Sequence, residues 1–443
     1  MHYLQRLVSS MRKIKDSGIE WIGEIPEDWN VRRLKNVLKE RKESNKPIKT
    51  DFILSLTAND GVIPYSEKKS GGNKSKEDLS DYKLAYPGDI VVNNMNVISG
   101  SVGLSEYFGC LSPVYYTLYP ISKLYNVKYF NYVFKSSVFQ KSLRGLGNGI
   151  MMKESQNGKL NTVRMRISMD KLNTVLLPVP DSRTQELIAD YLDSKVSEID
   201  NIISKTKETI EEYKKYKQSV ITEVVTKGLN PNVEMKDSGI EWIGNIPDHW
   251  KIRKGKYILE LLSRTILEND EVITCFRDGE VTLRSNRRED GFTFADKEIG
   301  YQGVEPNDLV IHSMDGFAGA IGISDSRGKA SPVVLVCDSY QNKEYIMYYL
   351  RSMAYNEVFT ALATGIRVRS CDLRWNKIGN LLYPIPSIKE QEEIVTYIKD
   401  ICIQIDKMIS IKQELLLELE QYKKSLIYEC VTGKKEVSPA YAN

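Results

Sequence analysis

The chain has 443 residues, of which 41% are hydrophobic and 27% are charged. This composition is typical of a globular protein and excludes a disordered or fibrous one, and the length predicts two to four domains. The formal net charge is only +3, from 62 basic and 59 acidic residues. That balance excludes a protein coated in positive charge, but it allows local basic surfaces that could bind nucleic acid.

The cysteines and the apolar residues indicate the compartment. The six cysteines are scattered and form no Cys-x-x-Cys pair. We therefore expect reduced thiols, a cytoplasmic protein and no structural zinc site. The sequence contains no run of apolar residues long enough to span a membrane, and its first residues lack the apolar core of a secretory signal.

A nearly verbatim repeat divides the chain. The sequence KDSGIEWIGEIPEDW at residues 15–29 returns as KDSGIEWIGNIPDHW at residues 236–250. A fainter match relates Pro87-Gly88-Asp89 to Pro306-Asn307-Asp308, each followed by two apolar residues. A period of about 220 residues is too long for a solenoid, so it predicts two duplicated domains related by a pseudo-twofold axis.

The segments after each repeat are predicted to be mixed α/β. Residues 84–93 and 304–313 carry short apolar runs bounded by Pro-Gly or Pro-Asn turns, which are typical of strands. Residues 127–143 and 343–362 have helix-like patterns. Stretches rich in Gly, Ser and Asn, such as residues 69–74, indicate loops. The two halves share framework turns but differ in loop sequence, as two readers of different DNA sequences would.

Two long helices are predicted, one in each half. Each follows a Pro-x-Pro stop, and Ser182-x-x-Gln185 and Ser387-x-x-Glu390 have the spacing of a capping box. Apolar residues then recur at steps of three and four over roughly five heptads, without Gly or Pro, which predicts a coiled coil formed by the two copies. Two unrelated amphipathic helices, each packed on its own domain, are the alternative.

The sequence lacks the motifs of the common enzyme classes. None of the three histidines has metal-ligand spacing, and no G-x-x-x-x-G-K-[ST] phosphate loop is present. The Gly-rich runs at residues 145–149 and 316–322 do not join a strand to a helix as a dinucleotide site requires. The Asn/Asp-Pro-Pro-aromatic tetrapeptide of adenine methylases is also missing from the sequence. We therefore expect no catalytic residue and no metal ligand in this chain.

The residues that could still bind a ligand are mainly basic. Each half of the chain has one basic stretch near its beginning and another near its end. In a DNA groove, Arg can bind guanine through two hydrogen bonds, Asn can bind adenine, and Lys contacts phosphates. A solvated charged surface is the alternative interpretation for each of these residues. The candidate DNA-binding residues are Lys68, Lys69, Asn73, Lys74, Lys76, Arg144, Asn148, Arg164, Arg166, Arg284, Asn286, Arg287, Arg288, Arg367, Arg369 and Arg374.

Taken together, these motifs resemble those of the DNA-specificity subunits of type I restriction-modification systems. Typical of that family are the repeated KDSGIEWIG(E/N)IP(E/D)xW block and the Pro-x-x-x-x-Gln-x-x-Ile helix starts at residues 180–188 and 386–394. So are the helix ends Val-Thr-Lys-Gly and Val-Thr-Gly-Lys, and the Pro-Gly-Asp-Ile-Val-Val turn at residues 87–92. Pro306-Asn307-Asp308 departs from that turn, so the resemblance leaves only the turn geometry there open.

The resemblance implies a non-catalytic subunit that reads a split, asymmetric target in double-stranded DNA. It implies an α+β fold in which two duplicated mixed α/β target-recognition domains are separated by two long antiparallel coiled-coil helices. The implied segments are residues 1–180 with the first recognition domain, 181–235 with the central helix, 236–386 with the second recognition domain, and 387–443 with the C-terminal helix and tail.

The resemblance also implies partners. Two methylation subunits, which bind S-adenosylmethionine, and two restriction subunits, which use ATP and Mg²⁺, would assemble on this chain, which holds no cofactor itself. At 1.5 Å per residue each long helix is at most roughly 65 to 70 Å long. The helices would then act as a ruler, with half-site centres about one DNA turn apart and less than two.

Three other functions are weighed against this one. A two-domain DNA-binding regulator without enzyme partners would also be duplicated, and it would not co-purify with a methylase. A coiled-coil scaffold that never contacts DNA would be indifferent to DNA and to salt. An enzyme with an unrecognised site would show activity when it is purified alone.

Overall fold

The computed structural model describes residues 12–57, 61–68, 77–147, 153–154, 160–161, 166–287, 299–361 and 373–438. The chain forms two compact units: unit 1 is Met1–Lys205 with Leu415–Asn443, and unit 2 is Thr206–Glu414. Both boundaries between the units fall inside long helices, and the four-segment division of the chain stays a prediction. No helix among the described residues combines the length and the apolarity that crossing a membrane requires.

Apart from one short strand pair in unit 1, the described helices and strands occur in the same order in the two units. The helices are α1 (Val127–Lys135), α2 (Ser137–Ser142), α3 (Met169–Leu172), α4 (Ser182–Lys227), α5 (Lys343–Tyr355), α6 (Val358–Ala361), α7 (Trp375–Ile378) and α8 (Ile388–Val431). The strands of unit 1 are β1 (Ile14–Ile19), β2 (Gly23–Pro26), β3 (Asn30–Arg33), β4 (Leu38–Glu40), β5 (Leu54–Thr57), β6 (Gly61–Pro64), β7 (Lys83–Ala85), β8 (Ile90–Asn93), β9 (Val102–Leu104), β10 (Gly109–Leu111), β11 (Tyr115–Pro120), β12 (Lys153–Glu154), β13 (Leu160–Asn161) and β14 (Leu176–Val179). Those of unit 2 are β15 (Met235–Asp237), β16 (Asn245–Pro247), β17 (Lys251–Lys254), β18 (Glu260–Leu261), β19 (Ile273–Cys275), β20 (Val281–Leu283), β21 (Gln302–Val304), β22 (Leu309–His312), β23 (Ile321–Ile323), β24 (Gly328–Ala330), β25 (Val334–Asp338) and β26 (Leu382–Ile385).

The centre of unit 1 is a four-stranded antiparallel sheet in the order β4-β11-β8-β9. Strand β8 is apolar at consecutive positions because both of its faces are covered, and Ile90, Val91 and Val92 are fully buried. Helix α1 adds Phe130 and Phe134 to the same core as Ile90. A continuous apolar run therefore marks the interior strand of the sheet.

Unit 2 repeats this arrangement with the order β18-β25-β22-β23. The smaller pairs recur as well: β17 pairs with β26 as β3 does with β14, and β21 pairs with β24 as β7 does with β10. This recurrence confirms the predicted pair of duplicated mixed α/β domains.

The Pro-Gly-Asp turn before the central strand is kept in both units. Gly88 has φ +89° and Asn307 has φ +71°, and Asn is among the residues that tolerate this left-handed region. In unit 1, Asp89 accepts a hydrogen bond from the Tyr86 N–H at 2.9 Å and two from the Arg41 guanidinium at 2.8 and 2.9 Å. The replacement of Gly by Asn in unit 2 therefore leaves the turn geometry unchanged.

Helices α4 and α8 run antiparallel in unit 1. The Tyr129 hydroxyl donates to the carbonyl oxygens of Pro178 and Val431, at 3.2 and 3.0 Å, so the start of α4 lies beside the end of α8. Further along α4, Asp200 accepts from the Lys423 ammonium at 2.6 Å. Because a later residue of α4 meets an earlier residue of α8, the two helices point in opposite directions.

In unit 2, the other ends of the same two helices lie side by side. The Tyr345 hydroxyl donates to Pro384 O at 2.8 Å and to Val225 O at 3.1 Å, and Lys217 donates to Asp406 at 2.6 Å. The predicted apolar seams are buried in the cores of both units. The coiled-coil prediction is confirmed, and the alternative of two unrelated amphipathic helices is excluded.

The predicted capping boxes are only partly correct. Helix α4 is capped by Asp181, whose carboxylate accepts from the N–H groups of Arg183 and Thr184 at 3.0 and 3.1 Å. An ionised carboxylate is a stronger acceptor than the adjacent Ser182 hydroxyl, so the cap lies one residue earlier than predicted. In α8, Ser387 does accept from the Glu390 N–H, at 3.3 Å.

The glutamine of the Pro-x-x-x-x-Gln motif joins the long helix to its domain. Gln185 accepts from the Asn126 N–H at 2.8 Å and donates to Pro180 O at 2.8 Å. Gln391 does the same with Asn342 and Pro386, both at 3.0 Å. Asn126 and Asn342 themselves cap α1 and α5. The motif therefore fixes the long helix to the first helix of each domain.

Candidate nucleic-acid interface

The predicted DNA-binding residues divide into two groups. Those within the described part of the chain are Lys68, Arg144, Arg166, Arg284, Asn286, Arg287 and Arg374. Those outside the described residues are Lys69, Asn73, Lys74, Lys76, Asn148, Arg164, Arg288, Arg367 and Arg369.

The early basic stretches of the two halves occupy matched positions. In unit 1 the hairpin β5–β6 leads into a 3-10 turn at Tyr65–Glu67, and Lys68 follows it. In unit 2 the hairpin β19–β20 leads into a 3-10 turn at Arg284–Asn286, and Arg287 follows it. Lys68 and Arg287 are thus equivalent residues of one repeated element.

Arg287 is held by two carboxylates and an aromatic ring. Its guanidinium donates to Asp278 at 2.5 Å and to Glu280 at 2.9 Å, and it lies 4.2 Å from the centre of the Phe276 ring. The hydrogen bond from Arg287 lowers the pKa of Asp278, so this carboxylate is ionised at neutral pH. The arginine is therefore oriented, and most of its charge is neutralised locally.

The unit 1 equivalent is simpler. The Lys68 ammonium lies 5.6 Å from the centre of the Tyr65 ring. Tyr65 takes the position that Arg284 takes in unit 2, where the Arg284 Nε donates to Thr274 at 3.4 Å. Asn286 donates to Thr282 at 2.9 Å. One matched element therefore carries different side chains and different side-chain contacts in the two units.

The late basic residues follow the end of the central strand. Arg166 is exposed, and the neighbouring Ile167 N–H donates to Asn94 O at 2.9 Å, just after β8. Arg374 is exposed beside Leu373, whose N–H donates to Ser313 O at 2.9 Å, just after β22. Arg144 is exposed in a 3-10 turn after α2. Each unit therefore anchors its late segment at the same strand end.

Unit 2 also has an open cleft of about 780 Å³ beside β19 and β22. Its lining includes Arg277, His312 and Asp315, which were not predicted from the sequence. Arg277 donates to Asp315 at 2.8 Å. The residues of this pair are 38 positions apart in the chain, so only a correct pairing of the strands would have brought them together. The run Phe276-Arg277-Asp278-Gly279 at a hairpin turn was the available signal.

His312 is a neutral hydrogen-bonding group in this cleft. Its Nδ1 accepts from the Asp315 N–H at 3.0 Å, which leaves Nε2 to carry the proton. Burial lowers the pKa of His312, while the carboxylate of Asp315 opposes that shift. The ring therefore offers a fixed N–H donor at neutral pH.

Two buried cysteines of unit 2, Cys275 and Cys337, are structural in character. Burial raises the pKa of the Cys275 and Cys337 thiols to about 12, so neither is a nucleophile at neutral pH. Among the described residues, no three His, Cys, Asp or Glu side chains converge as metal ligands.

Comparisons with known proteins agree with this geometry. Residues 26–212 match the family described as the type I restriction modification DNA specificity domain. The chain is 23% identical over 446 residues to the type I restriction enzyme MjaVIII specificity subunit of Methanocaldococcus jannaschii, covering 93% of this chain and 94% of that one.

Two solved structures share the fold. One is a chain from a study of complex assembly and conformational transition of the type I R-M system, with a TM-score of 0.66, 14% identity and coverage of 93% and 99% of the two chains. The other is the HsdS subunit from Thermoanaerobacter tengcongensis, with a TM-score of 0.51, 11% identity and coverage of 93% and 98%. The matching specificity domain, the relatives aligned over most of their length and this shared fold together support a type I restriction-modification specificity subunit, and these homologues are non-catalytic DNA-recognition subunits.

Proposed function

We propose that the chain reads a bipartite DNA target, with one unit for each half, and carries the methylation and restriction subunits to it. The observation that supports this proposal most strongly is the matched early basic element. Lys68 and Arg287 occupy equivalent backbone positions but have different partners. A constant framework with variable side chains at a basic loop is suited to reading two different sequences.

The chemistry of the proposed reading follows from the side chains. Arginines offer paired N–H donors to guanine, whereas lysines provide point charges to phosphates. Arg144, Arg166 and Arg374 are exposed to solvent, while Arg287 is oriented by its carboxylates. The candidate residues outside the described ranges remain part of the proposal on sequence grounds alone.

We propose that the partner subunits bind to the long helices. In unit 2, Tyr397, Met408 and Ile411 are 44%, 42% and 48% exposed, and their spacing places them on one face of α8. An exposed apolar face on a charged helix is typical of a protein–protein contact. We propose that two methylation subunits and two restriction subunits assemble on the chain in the cytoplasm, and that cofactors bind to those partners.

The helices are also proposed to set the DNA spacer. Helix α4 has 46 residues and α8 has 44, and both are continuous. Inserting four residues, about one turn, after the exposed Lys207 should change the tolerated spacer and leave both half-sites unchanged. Methylome sequencing of cells that carry the variant measures both quantities. Altered half-site bases with an unchanged spacer would show that the helices do not set the distance.

The direct test of the proposed function uses the host genome. Single-molecule methylation sequencing with and without this gene should reveal a split methylated motif that is lost with the gene. The purified chain alone should methylate no DNA in the presence of S-adenosylmethionine, and should support methylation when the methylation subunit is added. Methylation by the chain alone would contradict the non-catalytic role.

A further inference from the structure

The cleft of unit 2 contains an arginine–aspartate pair, Arg277 and Asp315, to which the proposed function assigns no role. The side chains of Arg277 and Asp315 are 61% and 39% exposed, and their hydrogen bond is 2.8 Å long. An exposed pair of this kind contributes little to stability. Because both residues also line the open cleft, the pair can serve a role other than folding.

The backbone around Asp315 is the same in the two units, while the side chains differ. Asp315 precedes the 3-10 turn Gly316–Ala318, and Asn96 precedes the equivalent turn Val97–Ser99. His312 ends β22, as Asn93 ends β8. The side chains at these strand ends thus vary on a constant frame, which is what two different readers require.

The charges of the cleft favour a base over a phosphate. Its lining includes Arg277, Arg284 and Arg287, but also Asp278 and Asp315, and Glu280, which binds Arg287, adds a third carboxylate nearby. A phosphate site needs net positive charge, because its ligand only accepts hydrogen bonds. A base edge presents donors and acceptors together, and a balanced set of side chains matches it.

We propose that Arg277 is a specificity-determining residue that binds a guanine in the half-site read by unit 2, and that Asp315 is its positioning residue. The inference rests on the proposed function. Asp315 takes one N–H of the guanidinium. Other N–H groups of the planar fork remain for the two acceptors that guanine presents in the major groove. The Nε2–H of His312 supplies a further donor in the same cleft.

The test uses the full chain assembled with its methylation subunits and the target found in the methylome. Arg277→Gln, Arg277→Lys and Asp315→Asn are compared with Arg253→Gln, which changes an exposed arginine in β17, outside the cleft. Binding is measured on the intact target and on duplexes with single base changes in each half-site, over a series of salt concentrations. Thermal unfolding of every variant confirms that the fold is intact.

The expected result is specific to one base. Arg277→Gln should lose roughly tenfold to a hundredfold discrimination at one guanine, with the other half-site and the salt dependence almost unchanged. Arg277→Lys should not restore it, because an ammonium lacks the planar fork. Asp315→Asn should weaken discrimination at that same guanine, and Arg253→Gln should have no effect.

Two results would overturn the inference. Rescue by Arg277→Lys, together with a salt slope reduced by about one in Arg277→Gln, would identify a phosphate contact instead. Unchanged discrimination in Arg277→Gln, while the wild-type complex reads its target, would show that the cleft does not read bases. If the wild-type complex has no sequence preference, the proposed function fails, and this inference falls with it.

Discussion

The two units can be compared position by position, because they share element order, sheet register and framework contacts. The Tyr129 hydroxyl joins two carbonyl oxygens in unit 1 as the Tyr345 hydroxyl does in unit 2. The buried Asp89 and Asp308 each bind an arginine and a backbone N–H. Contacts that fix the long helices and the central strand are therefore constant between the units.

The differences are concentrated elsewhere. At the basic hairpin, Lys68 stands where unit 2 has an arginine with two carboxylates. At the strand ends, Asn93 stands where unit 2 has His312. The comparison teaches that the duplicated domain holds its framework and varies the side chains near its candidate DNA-binding surface.

The largest effect is expected from breaking a shared contact. The side chains of Asp89 and Asp308 are 2% and 4% exposed, and each accepts a bidentate arginine. Replacing either with Ala should lower the free energy of unfolding of its own unit by about 3 kcal/mol, because the arginine and a backbone N–H lose their partner. Hydrogen exchange of β8 and β22 measures each unit separately.

A matched control is Asp81→Ala, at an exposed position of unit 1, which should change stability by less than about 0.5 kcal/mol. If Asp89→Ala and Asp308→Ala cost no more than this control, the turn contacts are not the shared framework.

A smaller effect is expected where the units differ at the repeated tryptophan. Trp250 donates its indole N–H to Glu390 at 2.9 Å, whereas the buried Trp29 Nε1 has no partner within the described residues of unit 1. Glu390→Leu should destabilise unit 2 by about 1 to 3 kcal/mol, because it leaves the Trp250 N–H unsatisfied. Urea denaturation followed by tryptophan fluorescence measures the change.

The control is Thr184→Val, since Thr184 is the unit 1 equivalent of Glu390 and does not bind Trp29. It removes only the exposed hydrogen bond from the Thr184 hydroxyl to Asp181, so it should cost about 0.5 to 1 kcal/mol. Equal losses from the two substitutions would mean that the indole hydrogen bond does not distinguish the units.

Much of this architecture could be predicted because its signals are local. The repeat, the strand after Asp89 and the two long helices follow from periodicity and turn residues. The cap at Asp181 was missed because two adjacent polar residues compete for one helix start. The Arg277–Asp315 pair could not be predicted. Arg277 lies in the β19–β20 hairpin and Asp315 follows β22, and the sequence alone does not show that these two elements are neighbours.

The smallest effect concerns the two equivalent basic residues. Lys68→Ala should weaken DNA binding across sequences and reduce the salt slope by about one, as expected for a phosphate contact. Arg287→Ala should reduce the slope less, because Asp278 and Glu280 already neutralise that charge. Titrations at several salt concentrations, with the intact complex, measure both. If Arg287→Ala reduces the salt slope more than Lys68→Ala does, then Asp278 and Glu280 no longer neutralise Arg287 when DNA is bound.

The most direct test of the central claim is a domain exchange read by methylome sequencing. Residues 30–175 are replaced by the equivalent domain of another specificity subunit, while the framework motifs that join each domain to the long helices are kept. Because the two units hold separate candidate surfaces, the chimera should change one half of the methylated motif and leave the other half and the spacer as they were. A chimera with both halves altered would show that the units read DNA jointly, and would contradict the modular account.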